Sequence, residues 1–177
     1  MLLLILISVL QGYSQQSLNI GVSYGQRLNY RHSTFVSVAG ITATYSAPIS
    51  PSTHVRLTTG IEGTDPGSSI ATGTYESRDD FNLIPLRAGV QHFVYNDKVF
   101  LYAETGAGIG FFPYDLTGEG HTKVNLSYAA GGGYNFRLKE RNYLQGSLNI
   151  SRNHYNSEVK FTWLTLRVTY GINWNKK

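Results

Sequence analysis

The stretch Lys98–Phe112, reading KVFLYAETGAGIGFF, restricts the possible folds of this chain more than any other. Val99, Leu101, Ala103, Thr105, Ala107, Ile109 and Phe111 share one parity; Phe100, Tyr102, Glu104, Gly106, Gly108 and Gly110 share the other. The first set is apolar along its length, while the second places a carboxylate among aromatics and glycines. Successive side chains of a strand point to opposite faces, so alternation this long predicts a strand rather than a helix. At about 3.3 Å per residue the run is roughly 50 Å long, far beyond an ordinary globular strand. A membrane-crossing strand needs about 9–11 residues inside hydrocarbon, and more if it projects past it. The pattern therefore predicts a transmembrane strand, with Glu104 facing a polar interior and its neighbours facing lipid.

Seven further runs share this alternation: Ser17–Leu28, Phe35–Tyr45, His54–Glu62 and Phe81–Tyr95 before it, and Lys123–Leu138, Tyr143–Ser151 and Phe161–Trp174 after it. Pro48 and Pro51 are expected to stop the second run, since proline cannot donate to a ladder. Asn96-Asp97 is expected to make a tight turn. The connections alternate in kind. Residues 29–33, 63–79, 113–121 and 152–160 are polar and variable in length, whereas APISPS, YND and KERN are short. Eight strands are the smallest number that closes a barrel whose interior side chains fill it. The reading is an all-β, eight-stranded antiparallel up-and-down transmembrane β-barrel, with both termini on the short-turn, periplasmic side.

Composition agrees. Mean hydropathy is −0.19, too polar for a helical membrane protein but suited to strands with one face turned to a polar lumen. The net charge of +4 comes without a Lys/Arg stripe, which argues against nucleic-acid binding. The absence of cysteine excludes disulfides, zinc-thiolate sites, thiol chemistry and a lipoprotein anchor. Residues 1–14, MLLLILISVLQGYS, form an apolar run too short to span a bilayer. Gly12 and Ser14 stand at the minus-three and minus-one positions of a cut before Gln15, so 1–14 reads as an export signal lacking the usual positive start. A buried first strand is the alternative. Residues 15–177 then form one domain.

The inward list contains Arg56, Glu62, Arg87, Gln91, Glu104, Gln145 and Arg167. Charges in a narrow lumen must be paired or solvated, so these are expected to form a structural network in which Glu104 pairs with Arg87 and Arg167 or Arg56 joins. A gated or conducting pore is the functional alternative, disfavoured by a lumen that side chains fill. Tyr45, Tyr95, Phe111, Phe112, Tyr134, Phe136, Tyr170 and Trp174 fall near strand ends, where interfacial girdles form. A secreted lipocalin-type barrel has the same period with the faces exchanged. Inward Arg and Glu, glycine-rich lumen faces and the girdles favour the membrane version. No cofactor or metal motif is present.

From Ser17 to Trp174 the chain resembles the small OmpA/OmpX-type outer-membrane barrels, including stand-alone barrel proteins of Bacteroidetes. The resemblance rests on the strand rhythm, on FNLIPLRAGV at 81–90, on YAETGAGIGF at 102–111 and on the aromatic ending at Trp174. Members usually end on that aromatic, a signal read by the barrel-assembly machinery; here Asn175, Lys176 and Lys177 follow it. The resemblance implies an outer-membrane location, with the lipid bilayer, lipopolysaccharide and the assembly machinery as partners. It does not imply one activity, because members serve as adhesins, anchors, pores or enzymes. The expected role is a scaffold whose outer loops, 63–79, 113–121 and 152–160, recognise an unknown extracellular ligand without catalysis. Tyr75, Tyr114 and Tyr155 are candidates for sugar stacking. Two eight-stranded types modify lipid A with a His beside a Ser. His154 near Ser151, Ser157 and Glu158 is the constellation to weigh, against the plainer reading of a solvated loop histidine. No GxSxG, P-loop or HExxH occurs.

Overall fold

The computed structural model describes residues 16–28, 37–64, 82–112, 121–154 and 160–174. Residues 1–14, expected from the sequence to be an export signal, and residues 175–177 lie outside them. Eight strands follow one another: β1 (Gln16–Arg27), β2 (Ser37–Pro48), β3 (Thr53–Thr64), β4 (Asn82–Tyr95), β5 (Val99–Phe112), β6 (His121–Arg137), β7 (Asn142–His154) and β8 (Lys160–Trp174). Each pairs antiparallel with the next, and β1 pairs with β8 from Gln16↔Trp174 to Arg27↔Trp163, closing the barrel. Closure leaves no edge strand, which satisfies the backbone without water. The three short connections share one end of the barrel with the start of β1 and the end of β8, here called the turn end. The opposite end, where β1 ends and β2 begins, is here called the loop end.

The short turns follow from local chemistry. Asn96 and Asp97 have φ of 43° and 55°, and Lys98 N–H donates to Tyr95 C=O at 2.8 Å. Two consecutive left-handed residues give the type I′ turn that matches the twist of paired strands, and Asn and Asp tolerate that region well. At the β2–β3 turn, Ile49 and Ser50 both donate to Thr53 C=O, while Ser50 Oγ accepts from Thr53 N–H at 3.1 Å.

Several strands outrun their polar-residue boundaries. β2 continues to Pro48, opposite His54, instead of stopping at Tyr45. A proline at the last strand position forfeits only a terminal donor. β7 continues through Arg152 and Asn153 to His154, β8 starts at Lys160 and β6 starts at His121, so 152–154, Lys160 and His121 are strand rather than loop. Ladder bonds are made by backbone and do not require apolar side chains. Pro85 lies within β4, and pairing to β3 lapses between Thr59↔Leu86 and Glu62↔Leu83 because proline supplies no N–H.

Burial is inverted relative to a water-soluble protein. The inner faces carry Asn19, Thr44, Thr58, Gln91, Ser127 and Asn149, all at most 3 % exposed. The outer faces carry Ile41, Leu101, Val124 and Leu148, between 56 and 72 % exposed. A lipocalin-type barrel requires the opposite. Some apolar side chains also point inward: Val38, Leu83, Phe161 and Trp163 pack together toward the loop end, while Phe100 and Tyr143 are buried toward the turn end.

Candidate functional site: the lumen and its rims

Strand parity puts Arg56, Arg87, Gln91, Glu104, Gln145 and Arg167 on the buried inner face. They do not make one network. Arg56 Nε donates to Glu104 Oε1, and its Nη1 donates to Gln91 Oε1 at 2.9 Å. Thr58 Oγ1 donates to the same Glu104 oxygen at 2.5 Å, and the Arg56 guanidinium lies 4.0 Å above the Tyr102 ring. The expected Glu104–Arg87 pair does not form. Arg87 instead donates from Nε to Ser127 Oγ at 2.7 Å, and its Nη2 stands 3.4 Å from Glu62. Arg167 approaches the other oxygen of Glu62 at 3.6 Å. Gln145 donates to Asn135 Oδ1 at 2.9 Å, apart from the charges.

Register explains these partners. Arg56 lies opposite Gly89, and Gly89 lies opposite Glu104. With no side chain on the strand between them, the two charges meet across β4. Arg87 sits opposite Gly106, which sits opposite Ser127, and Arg87 reaches Ser127 over that glycine. Tyr102, Gly131 and Asn149 repeat the pattern, and the Tyr102 hydroxyl donates to Asn149 Oδ1. Sequence parity placed these residues inside but could not show which lie at one level. Thr58, Tyr102, Ser127 and Asn149 were missed as members, although each shares the inward parity of its strand.

A Cβ added at Gly89 would overlap the Ala103 carbonyl and lie 2.6 Å from Glu104 Cα, whereas one added at Gly146 meets nothing within 4 Å. Gly89→Ala is therefore expected to cost about 1–3 kcal/mol, the usual range for overpacking. Gly146→Ala is expected to be neutral or slightly stabilising. Urea unfolding of the two variants in lipid vesicles checks this, and equal midpoints would contradict the bridging role of Gly89.

The rims differ. Tyr95, Phe136, Tyr170 and Trp174 are exposed on the outer face at the turn end, with Tyr134 packed 4.6 Å from Phe136, and Tyr45 is half-buried there. Phe111 is exposed toward the loop end. The side chain of Phe112 lies outside what is described. A cavity of about 170 Å³ opens at the turn end among His54, Phe93, Asn135 and Tyr143, rimmed by Lys98, Arg137, Lys139 and Arg141. An ion crossing from there would have to pass the Arg56–Glu104 cross-link and then the Val38–Trp163 cluster.

The geometry separates the members of the His–Ser constellation. His154 is on the outer face, where its Nε2 is 2.7 Å from the Tyr128 hydroxyl. Ser151 is buried on the inner face. Positions three apart on a strand point to opposite sides, so the two cannot form a nucleophile–base pair. Ser157, Glu158, Tyr75, Tyr114 and Tyr155 lie outside the described residues. Among the described residues no group of three His, Asp or Glu side chains is placed to hold a metal ion.

A closed eight-stranded antiparallel barrel with a polar, charge-bridged lumen and an apolar exterior is the fold of the small outer-membrane barrels. Solved structures agree. Ail of Yersinia pestis matches with a TM-score of 0.56 and 20% identity, over 90% of this chain and 99% of its own. Neisserial surface protein A matches at 0.57 and 12%, over 90% and 96%. OprG of Pseudomonas aeruginosa matches at 0.54 and 10%, over 92% and 97%. No protein-family model and no curated protein sequence matches the chain.

Proposed function

We propose that the protein spans a bacterial outer membrane as a rigid barrel and recognises an extracellular ligand with its loop-end connections, without catalysis of its own. The observation that carries this reading is the inverted burial: every strand turns apolar side chains outward around a polar interior. Only a hydrocarbon surrounding makes that arrangement favourable. Arg152, flanked in register by Tyr128 and Thr162, faces outward on the loop-end side of Ile150 and Leu164. A guanidinium at that level suits a lipid phosphate, which supports contact with lipopolysaccharide. The closing strand β8, ending at Trp174, is the segment that would engage the assembly machinery.

The loops have a charge of their own. Segments 29–36, 65–81, 113–120 and 155–159 hold seven carboxylates against Arg31 and Arg78, a net −5 with His32 neutral, whereas the whole chain is +4. Ail has been solved with the heparin analogue sucrose octasulfate, a polyanion. The acidic loops here favour a cationic partner instead, such as a basic protein surface. The refolded barrel is expected to bind immobilised poly-lysine in a salt-sensitive manner and to ignore sulfated polysaccharide. A variant with 65–81 replaced by a short glycine-rich turn should lose most of that binding. Preference for the sulfated polysaccharide, or binding unchanged by the replacement, would remove this reading.

A further inference from the structure

The closed middle of the barrel holds more fixed positive charge than its carboxylates neutralise. Among the described residues, Arg56, Arg87 and Arg167 are at most 2 % exposed there, facing Glu62 and Glu104 at 3 and 4 %. Arg56 occupies Glu104. Among the described residues, Glu62 is the carboxylate that serves both Arg87, at 3.4 Å, and Arg167, at 3.6 Å. Both distances exceed the 2.7–2.9 Å of a good charge-assisted bond. Arg87 Nη1 and Arg167 Nε and Nη1 are buried without a hydrogen-bond partner, as are the hydroxyls of Ser23, Thr42 and Thr169. A guanidinium cannot shed its proton to relieve the mismatch. An incompletely paired buried charge is costly, so the site calls for one more negative charge.

We propose that Arg87 and Arg167 hold a single small inorganic anion of chloride size in the central lumen. Three guanidiniums against two carboxylates leave an excess of one, which a single monovalent anion neutralises. The unpaired hydroxyls nearby can turn to donate, as halide coordination requires. The level is narrow: Arg167, Ser23, Gly40 and Glu62 follow one another in register across β8, β1, β2 and β3. Ser23 and Gly40, which stand between Arg167 and Glu62 in that register, are small residues. Glu104 Oε2 is also unpartnered and would repel an anion, which places the bound ion toward Arg167.

The test is urea unfolding of the refolded barrel in zwitterionic micelles, with sodium gluconate exchanged for sodium bromide at constant ionic strength. The unfolding midpoint is expected to rise and saturate, as for a ligand bound only by the folded state. Arg167→Gln, which balances the interior at two against two, is expected to lose the saturable rise and to be no less stable than the parent in gluconate. An identical bromide response in parent and variant would mean a general salt effect and overturn the site. If that variant does not fold, crystals of the parent grown in bromide decide: one anomalous peak beside Arg87 and Arg167 is expected, and none would overturn it. The inference rests on the lumen alone and goes beyond the ligand-recognition reading, whose failure would leave it intact.

Discussion

Glu104→Ala is expected to destabilise the barrel by about 3–5 kcal/mol, the cost of removing one partner from a buried ion pair. Glu104 accepts from Arg56 Nε and from Thr58, and Arg56 is 1 % exposed. Without the carboxylate, Arg56 keeps only Gln91 and the Tyr102 face. Glu62 cannot substitute, being drawn to Arg87 and Arg167. The double variant Glu104→Ala with Arg56→Met should recover much of the loss, because the uncompensated charge leaves with the arginine. Glu140→Ala, on the exposed β6–β7 turn, should stay within about 0.5 kcal/mol of the parent. Urea midpoints in lipid vesicles measure all three. A Glu104→Ala midpoint no lower than that of Glu140→Ala would contradict the cross-link.

Leu148→Arg is expected to cost about 2–4 kcal/mol in a bilayer, the range for a cation on the lipid face near mid-membrane. Leu148 lies at the centre of β7, 56 % exposed, between Gly132 and Leu166 in register. On a water-facing surface the same exchange would be nearly neutral. The sign of its effect therefore reports what surrounds the barrel. Unfolding in vesicles is the measurement, and an unaffected midpoint would mean that this face does not meet hydrocarbon.

Strand number, strand parity and the Asn96-Asp97 turn could be read from the sequence because each depends on residues near one another. Period-two alternation sorts inner from outer side chains without knowledge of the neighbours. Lumen pairing could not be read this way. Whether Glu104 meets Arg56 or Arg87 depends on the stagger of β3, β4 and β5, which sets Gly89 between the first two. The glycines of the inward lists were visible, but their task of letting charges meet across a strand emerges only with register. Strand ends were hidden for another reason: Pro48, Asn153 and His154 look like loop residues, yet ladder pairing continues through them. The mismatch of Ser151 and His154 needed no structure, since an odd spacing on one strand already separates their faces.

The measurement that bears most directly on the membrane barrel is heat modifiability after refolding, with and without detergent. The expected result is a compact band on cold SDS gels that shifts on boiling and forms only when micelles or vesicles are supplied. A monodisperse, β-rich protein folded in plain buffer would contradict the account and exchange the inside and outside of every strand.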